Sequence, residues 1–421
     1  MSIWTASQPG DVYELNFETT TTFNSVILKE HGINKGEPGN CRKFSIEALI
    51  GETWMKIHGS DVIGFYRMCV TEKTTASAVR IIIEDIAKGE TVQLSDVYIE
   101  EMPPVKKPFR VVGYYHPKAF DETGFNGDID QFDAVTDVIY IGFMPVVAGK
   151  NGIEISMDAN TATHINTLKS AIGDKNVNIY ASLTGLNVLT DNDDDIERIA
   201  SQAADFVKEF DLHGMDLDLE GDWFTRRVDR CGYSKLIINL GKKLHDMGKK
   251  ISIAVIPAYP FTAQALTTLD YINTMTYDYT DIDCWHSVYS AVLRDIDILC
   301  EKGLELIDDD GNFTDNRGTV PFEKVNVGMP FYGMGNIGGI REWERTFSFG
   351  EYYKPGDEDT FDPHCNYNTE NKSYYNGPTT IRDKTAYALK TVGGVMFWAL
   401  NHDVKYAAPY ALLKVVAGVV V

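Results

Sequence analysis

The sequence has few of the features that indicate a metal site or a membrane protein. Its six cysteines form no C-x-x-C pair, and no histidine lies at the spacing of a zinc site. No apolar run reaches the roughly 18 residues of a membrane span. The first residues, MSIWTASQPG, lack the basic and apolar regions of a signal peptide. We therefore expect buried free thiols, no metal and no membrane-spanning segment. We also expect a secreted, periplasmic or cell-surface protein whose export signal has been removed.

Basic residues are scarce relative to acidic ones. The 421 residues include 39 lysines and arginines against 61 aspartates and glutamates, a formal net charge of −22. Such a charge repels phosphate backbones and anionic lipid surfaces, so we expect no nucleic-acid or membrane-surface partner and favour a neutral substrate. With 44% hydrophobic residues the chain has enough apolar material for a core. Its length predicts two domains, or one barrel with an appendage.

The chain divides near residue 101. Before this point, alternating segments separated by turn residues are typical of an antiparallel β-sandwich. They are VYELNF, FNSVILKE, KFSIEAL, WMKIHG, AVRIIIE and VQLSDVYIE. The segment EMPPVKKPF, 101–109, contains three prolines and two lysines and has little to bury. We therefore predict a sandwich over 1–101, a linker over 102–108 and a second domain over 109–421.

In the second domain, apolar strands alternate with amphipathic helices. The predicted strands are 110–115, 137–143, 177–183, 213–220, 251–256, 271–277, 325–331 and 393–400. Eight such units over about 310 residues predict a (β/α)8 TIM barrel. The alternative, a doubly wound open sheet, usually has fewer strands and a Gly-rich phosphate loop. The long stretch 332–392 predicts a small aromatic insertion at the barrel mouth, ending in a helix over 379–391.

The fourth predicted strand, HGMDLDLE, carries carboxylates at alternate positions. Asp216, Asp218 and Glu220 share one face, because successive side chains of a strand point to opposite sides. They therefore point into the barrel, with Glu220 at the carboxyl-terminal rim, where active sites of this fold lie. Because three close carboxylates repel one another, we expect at least one to hold a proton at neutral pH, as a general acid requires.

Two other interpretations of this segment stay open. Asp216, Asp218, Glu220 and Gly221 suggest a calcium loop, but its twelfth position is Arg227 rather than glutamate. The segment could also be a solvated edge strand. The apolar opposite face and the position fourth among eight strands argue against that interpretation.

Four strand ends together resemble glycoside hydrolase family 18, the chitinases and endo-β-N-acetylglucosaminidases, over essentially all of 109–421. The family's D-x-x-D-x-D-x-E is represented by residues 213–220, with His213 in place of the first acid. MTYD, 275–278, matches the family's M-x-Y-D, and GMPFYG, 328–333, looks like its seventh strand. GGVMFWAL, 393–400, places Trp398 where the family has a tryptophan. The third strand departs from the pattern, with SLTG (182–185) instead of S-x-G-G.

The resemblance implies retaining, substrate-assisted hydrolysis through an oxazolinium intermediate, with no metal or organic cofactor. Glu220 would protonate the glycosidic oxygen, and Asp218 would orient the attacking 2-acetamido group of the substrate. Asp216 would tune Asp218, and Tyr277 would donate to the acetamido oxygen. The expected substrate-binding residues are Trp398, as the apolar floor under the sugar, with Asp278, Met275, Tyr114, Phe143 and Tyr332.

Several aromatic residues at or beyond strand ends are candidates either for sugar subsites or for ordinary packing of the barrel mouth. They are Tyr114, Phe143, Trp223, Tyr259, Trp285, Tyr332 and Trp343. Residues 1–101 resemble the discoidin or galactose-binding-like sandwich found beside many glycosidases. For that domain, sugar binding and a role as a spacer are the two alternatives.

The implied function is hydrolysis of β-1,4-linked N-acetylglucosamine in chitin or its oligomers, by a monomer whose partner is an N-acetylglucosamine-containing glycan. One alternative is an endo-β-N-acetylglucosaminidase that cuts the chitobiose core of N-glycans by the same mechanism. A second is a chitinase-like lectin without catalysis. Such lectins typically lose the acid, whereas Glu220 is present.

Overall fold

The N-terminal part of the chain forms one antiparallel sheet. The structure, a computed structural model, describes residues 3–105, 107–121, 124–149, 152–184, 190–220, 225–279, 285–337 and 340–420. The sheet strands are β1 (Trp4–Ala6), β2 (Val12–Glu30), β3 (Cys41–Ile50), β4 (Thr53–Ser60), β5 (Arg67–Ile86) and β6 (Val92–Glu100). They are hydrogen-bonded in the order β1-β6-β2-β5-β3-β4. The predicted antiparallel architecture is confirmed.

The two longest strands pass through both halves of this sheet. The predicted segments 12–17 and 23–30 are parts of β2, and the threonines between them continue the strand because β-branched side chains suit an extended backbone. An irregular register between Asn16 and Thr21 accommodates the join. Phe23, Phe44 and Ile81 pack into one core from different strands. In its hydrogen bonding, the predicted sandwich is therefore a single sheet whose halves share a core.

The rest of the chain is built around a parallel barrel. Its strands are, in chain order, β7 (Arg110–Tyr115), β8 (Phe120–Asp121), β9 (Gly124–Phe125), β10 (Asp137–Gly149), β11 (Gly152–Ile155), β12 (Asn178–Thr184), β13 (Gly214–Asp218), β14 (Lys250–Val255), β15 (Tyr271–Thr274), β16 (Leu304–Ile307), β17 (Phe313–Gly318), β18 (Val325–Pro330), β19 (Tyr332–Ile337), β20 (Ile340–Ser348), β21 (Tyr367–Asn368), β22 (Ser373–Tyr374) and β23 (Gly394–Trp398). Eight of them pair in the order β7-β10-β12-β13-β14-β15-β18-β23, and β23 pairs with β7 to close the barrel. The predicted TIM barrel is confirmed, and each predicted strand overlaps an observed one.

Helices surround the barrel. They are α1 (Thr161–Ile172), α2 (Asp193–Glu209), α3 (Arg227–Asp246), α4 (Ala263–Thr268), α5 (Tyr289–Ile296), α6 (Phe349–Tyr352), α7 (Pro378–Thr391) and α8 (Leu412–Val420). The start of α2 follows from its sequence, because the Asn192 side chain accepts hydrogen bonds from the backbone N–H groups of Asp194 and Asp195. The acidic first turn also complements the helix dipole.

The predicted insertion at the barrel mouth is a small sheet of four strands in the order β20-β19-β22-β21, followed by α7. Between Glu100 and Arg110 the described residues have no regular secondary structure. Within the described ranges, no helix is both long and apolar enough to cross a membrane. Five cysteines in those ranges are free thiols, and Cys284 lies outside them.

The N-terminal sheet packs directly against α7. The guanidinium of Arg67, at the start of β5, is fully buried there. Its Nη2 donates to the Asp383 carboxylate of α7 at 2.8 Å, and its Nη1 donates to Asp61 at 3.1 Å. His58 contacts the same Asp383 carboxylate at 3.0 Å. A buried ionic cluster of Arg67, Asp61, Asp383 and His58 therefore joins the sheet to the barrel.

Candidate active site

Asp216 lies fully buried inside the barrel, where four donors meet its carboxylate. Tyr114 Oη donates at 2.9 Å, and Ser182 Oγ and Asn273 Nδ2 each donate at 3.2 Å. Ser252 Oγ donates at 2.5 Å. Burial raises the pKa of Asp216 above its usual value, while these hydrogen bonds act to lower it. The four donors fit an ionised carboxylate, which can only accept.

These donors come from strands on both sides of β13. Ser182 of β12 and Ser252 of β14 stand opposite Asp216 in the parallel register, so all three side chains lie in one layer of the barrel. Tyr114 and Asn273 reach the layer from β7 and β15 and are bonded to each other at 3.2 Å. The layer fixes the base of the site from four other strands of the barrel.

Asp218 lies one layer higher and is hydrogen-bonded to Glu220. A hydrogen bond between two carboxyl groups requires a proton on one of them, so this contact and the raised pKa values of both groups favour a shared proton. Burial, followed by repulsion from Glu220 and Asp216, raises the pKa of Asp218 well above its usual value. Asp218 Oδ1 is buried without a hydrogen-bond partner among the described residues. These effects favour a protonated Asp218 carboxyl, whose role in catalysis stays a prediction.

Glu220 follows β13 at the rim. The residue is open to the cleft, yet protein atoms crowd its carboxyl group closely enough for burial to raise its pKa. The negative charge of Asp278 raises that pKa further. Both effects favour the protonated form of Glu220, which is the form that can donate a proton, whereas the hydrogen bond with Asp218 acts in the opposite direction.

Asp278 is fixed from two sides. Its Oδ1 accepts from Tyr332 Oη at 2.6 Å and lies 3.2 Å from His286 Nδ1. Its backbone has φ of 62°, in the left-handed region that residues other than glycine rarely occupy. Beside it, the nearest partner of Tyr277 Oη is the weakly accepting Met396 Sδ at 3.9 Å. The Tyr277 hydroxyl therefore keeps its capacity to bind a stronger acceptor.

Most of these side chains line one cavity of about 250 Å³. Trp398, at the end of β23, forms part of its wall and is tilted against Tyr114, with ring centroids 5.7 Å apart. The predicted site residues that line the cavity are Tyr114, Asp218, Glu220, Met275, Tyr277, Asp278, Tyr332 and Trp398. Asp216 lies beneath them, and the Phe143 side chain lies outside the described part of the structure.

Other aromatic candidates have different positions. Tyr259 is buried in the core between barrel and helices, which is the packing alternative. Trp285 stacks on Tyr374 of the insertion, with ring centroids 5.3 Å apart. Trp223 and the side chain of Trp343 lie outside the described residues. The calcium-loop interpretation involves Gly221, which is also outside them.

Sequence reasoning missed several lining residues. They are Ala254, Met334, Thr346 and His402. Burial and the nearby charges of His116 and Lys118 lower the pKa of His402 to about 4, so this ring is neutral at physiological pH. His402 follows the eighth barrel strand closely, and this position was the available signal. Met334 and Thr346 belong to the insertion. The pattern of strands in the sequence did not indicate that the insertion folds back over the barrel mouth.

His213 stands at the entrance of β13, away from the cavity. Its Nδ1 accepts a hydrogen bond from the backbone N–H of Ile179 at 3.0 Å. Burial and the charge of Lys249 lower its pKa, which favours the neutral ring that can accept this bond. His213 is therefore a hydrogen-bonded residue at the entrance of the strand.

The sequence also matches a known protein family and a characterised relative. Residues 110–403 match the family described as Glycosyl hydrolases family 18. Chitinase A1 of Niallia circulans is 28% identical over 262 residues, which cover 49% of this chain and 37% of that relative. The match thus spans little more than a third of the relative's length.

Two solved structures have a similar fold. The GH18 chitinase from the chitin utilization locus of Flavobacterium johnsoniae has 26% sequence identity and a TM-score of 0.58, over 75% of this chain and 94% of that one. A chitinase from Bacteroides thetaiotaomicron has 19% identity and a TM-score of 0.56, over 75% of this chain and 97% of that one. With most of the barrel inside the family match, the chain belongs to glycosyl hydrolases family 18, a family of glycosidases.

Proposed function

We propose that the protein hydrolyses β-1,4-linked N-acetylglucosamine, in chitin or its oligomers, by retaining substrate-assisted catalysis. The observation that carries this proposal is the close pairing of Asp218 and Glu220, both with raised pKa, above the buried Asp216 and at the floor of a cavity lined by Tyr277 and Trp398. The similarity to two bacterial chitinases supports the choice of substrate.

In the proposed reaction, the 2-acetamido oxygen of the substrate attacks the anomeric carbon. Glu220 donates its proton to the glycosidic oxygen as the bond to the leaving sugar breaks, and an oxazolinium ion forms. Water activated by the resulting Glu220 carboxylate then opens the oxazolinium ion, with net retention at the anomeric carbon. No step requires a metal or an organic cofactor.

Asp218 and Tyr277 act on the acetamido group in this proposal. Asp218 Oδ1, which has no hydrogen-bond partner in the described part of the chain, is an acceptor for the acetamido N–H. The negative charge of Asp218 stabilises the developing oxazolinium cation once the shared proton has moved to Glu220. The Tyr277 hydroxyl donates to the acetamido oxygen. Trp398 packs against the C–H face of the sugar, where an aromatic ring offers a large apolar surface.

A paired-substrate assay tests the mechanism. Wild-type protein and Glu220→Gln are compared on fully acetylated chitotetraose and on its de-N-acetylated counterpart, with the product anomer followed by NMR. We expect wild type to release the β anomer from the acetylated substrate alone, and Glu220→Gln to lower kcat by about 10²- to 10⁴-fold. Equal rates on both substrates, or release of the α anomer, would contradict the proposal.

The same two proteins distinguish the alternatives when a high-mannose glycopeptide is added as a third substrate. Cleavage of the glycopeptide alone favours an endo-β-N-acetylglucosaminidase. Binding of chitooligosaccharides without hydrolysis of any substrate favours a lectin. The intact Glu220 and its crowded, proton-retaining surroundings support an enzyme over a lectin.

A further inference from the structure

The ionic cluster that joins sheet and barrel continues towards the active site. Asp61, 5% exposed, accepts from Arg67 with one carboxylate oxygen. With the other it accepts from the hydroxyl of Tyr374 and from Asn366 Nδ2, the latter at 3.2 Å. Tyr374 and Asn366 belong to the insertion at the barrel mouth. One aspartate of the N-terminal sheet therefore holds the insertion in place.

Tyr374 in turn contacts the segment that follows the sixth barrel strand. Its ring stacks on Trp285 and meets His286 edge to face, with centroids 6.0 Å apart. Its strand, β22, also pairs with β19 at Met334, which lines the catalytic cavity. A fully buried residue that packs this closely transmits displacement, because protein interiors are close-packed.

His286 makes the last contact. It is fully buried, and its Nδ1 lies 3.2 Å from Asp278 Oδ1. Its Nε2 is buried with no hydrogen-bond partner among the described residues. A proton on Nδ1 would satisfy Asp278, whereas a proton on Nε2 would leave a buried donor unpaired, so the geometry favours Nδ1–H donating to Asp278.

We propose that Asp61 is a positioning residue of the catalytic site, acting on Asp278 through Tyr374 and His286, so that the N-terminal sheet forms part of the active-site framework. The proposal rests on the proposed function for its kinetic consequences. Its structural content, a His286 orientation set from the sheet, does not depend on that function.

The titratable groups that face Asp278 in the described structure define the expected readout. They are Tyr332 and His286, which hydrogen-bond to it, and Tyr277 and Glu220, which interact with its charge. Because the charge of Asp278 raises the pKa of Glu220, loosening Asp278 lowers that pKa. The alkaline limb of the activity profile, where the acid loses its proton, then moves to lower pH.

The experiment removes the Asp61–Tyr374 hydrogen bond from each side, with Asp61→Ala, Tyr374→Phe and the double variant. We expect kcat to fall by about tenfold and the alkaline limb to move down by about half a pH unit, with KM changed less than twofold. The change at Asp61 also removes the partner of Arg67 and Asn366, so the double variant should equal the Asp61 variant rather than the product of the two single effects.

Tyr289→Phe is the matched control. Its hydroxyl accepts from the Met68 backbone N–H at 3.3 Å in the same interface between sheet and barrel, outside the path to Asp278. We expect wild-type kinetics from it. His286→Ala should reproduce the shift of the pH profile, and His286→Asn, which can keep a donor near the Nδ1 position, should restore part of it.

A second readout follows His286 directly. Imidazole ¹⁵N NMR reports the tautomer of each of the nine histidines, and His286→Asn assigns the signal. We expect the Nδ1–H form in wild type and in Tyr289→Phe, and a changed signal in Tyr374→Phe. An unchanged His286 signal in Tyr374→Phe would overturn the proposal whether or not the protein is active. Wild-type protein inactive on all substrates would overturn the proposed function alone.

Discussion

Two buried clusters of carboxyl groups behave in opposite ways. In the barrel, Asp218 is surrounded by Asp216 and Glu220, and burial and repulsion raise its pKa. At the interface between sheet and barrel, burial also opposes ionisation of Asp383. The charges of His58 and Arg67 and the hydrogen bonds to its carboxylate outweigh that effect and lower its pKa. The difference is the neighbouring cation, not the depth of burial.

The comparison indicates where chemistry is possible. A compensated carboxylate such as Asp383 has no proton to give and contributes to structure. An uncompensated carboxylate such as Asp218 has a raised pKa, which costs stability when the group is ionised and provides acid–base capacity. Among the described residues, the carboxyl cluster that contacts no cation lies at the cavity, and the cluster that contacts Arg67 lies between the N-terminal sheet and α7.

We expect the largest effect on stability from a substitution in the buried ionic cluster, where Arg67 and His58 compensate the charge of Asp383. Asp383→Asn leaves the fully buried Arg67 with fewer negative charges, which should lower the free energy of unfolding by about 3–5 kcal/mol. Urea denaturation measures this loss. Glu72→Gln is the control, because it removes the exposed ion pair with Arg382 on the same helix and should change stability little. Equal losses of unfolding free energy in the two variants would show that the buried cluster contributes no more to stability than the exposed ion pair.

The uncompensated cluster should respond in the opposite sense. Asp218→Asn removes a carboxylate that repels its neighbours, so we expect the free energy of unfolding to stay equal or to rise by about 1 kcal/mol. Activity should fall by about 10²-fold, because the variant cannot carry the negative charge that stabilises the cation. Chitotetraose hydrolysis and urea denaturation of the same sample check both parts. A large loss of stability would show that Asp218, like Asp383, stabilises the fold.

The pH dependence of stability separates the clusters further. Folding raises the pKa of Asp218 above the unfolded value of about 3.9. At pH values above about 3.9 the folded state therefore binds more protons than the unfolded state, and the stability that this group contributes falls as pH rises. The gain from Asp218→Asn should therefore be absent near pH 3.5 and grow with pH. The pKa of Asp383 is lowered, so the cost of Asp383→Asn should be full at pH 7 and shrink below about pH 3.9. Parallel pH curves for the two variants would contradict the comparison.

The smallest effect is expected at His213, which lies on the carboxylate strand but outside both clusters. His213→Asp restores the acid that the family motif has at this position, and its carboxylate can still accept from the Ile179 N–H. We expect kcat to change by less than about twofold, since the residue does not line the cavity. Steady-state kinetics on chitotetraose decides this, and a change above tenfold would show that the strand entrance is linked to the cavity.

Much of the fold could be predicted because the signals are local. Each barrel strand is a short apolar run, and the acidic run before α2 contains the cap that begins it. The face shared by Asp216, Asp218 and Glu220 follows from alternation along one strand. These inferences need only residues that are close in the sequence.

What could not be predicted depends on contacts between distant elements. The donors to Asp216 lie on four other strands, and their one available signal was small polar residues at inward positions, such as Ser182 and Ser252. Arg67 begins an ordinary strand, and Asp383 lies in a helix pattern that reads as solvent-facing. The sequence around Arg67 and around Asp383 does not indicate that the two side chains form a buried ion pair.

Helix α7 has consequences for how this protein can change. Ten of its residues are buried, including the adjacent Asp383 and Lys384, and one side of it is covered by the N-terminal sheet. Transplanting the barrel without the sheet would expose a carboxylate and an apolar surface adapted to that cover. A hybrid enzyme made by exchanging the N-terminal part would therefore need a redesigned α7.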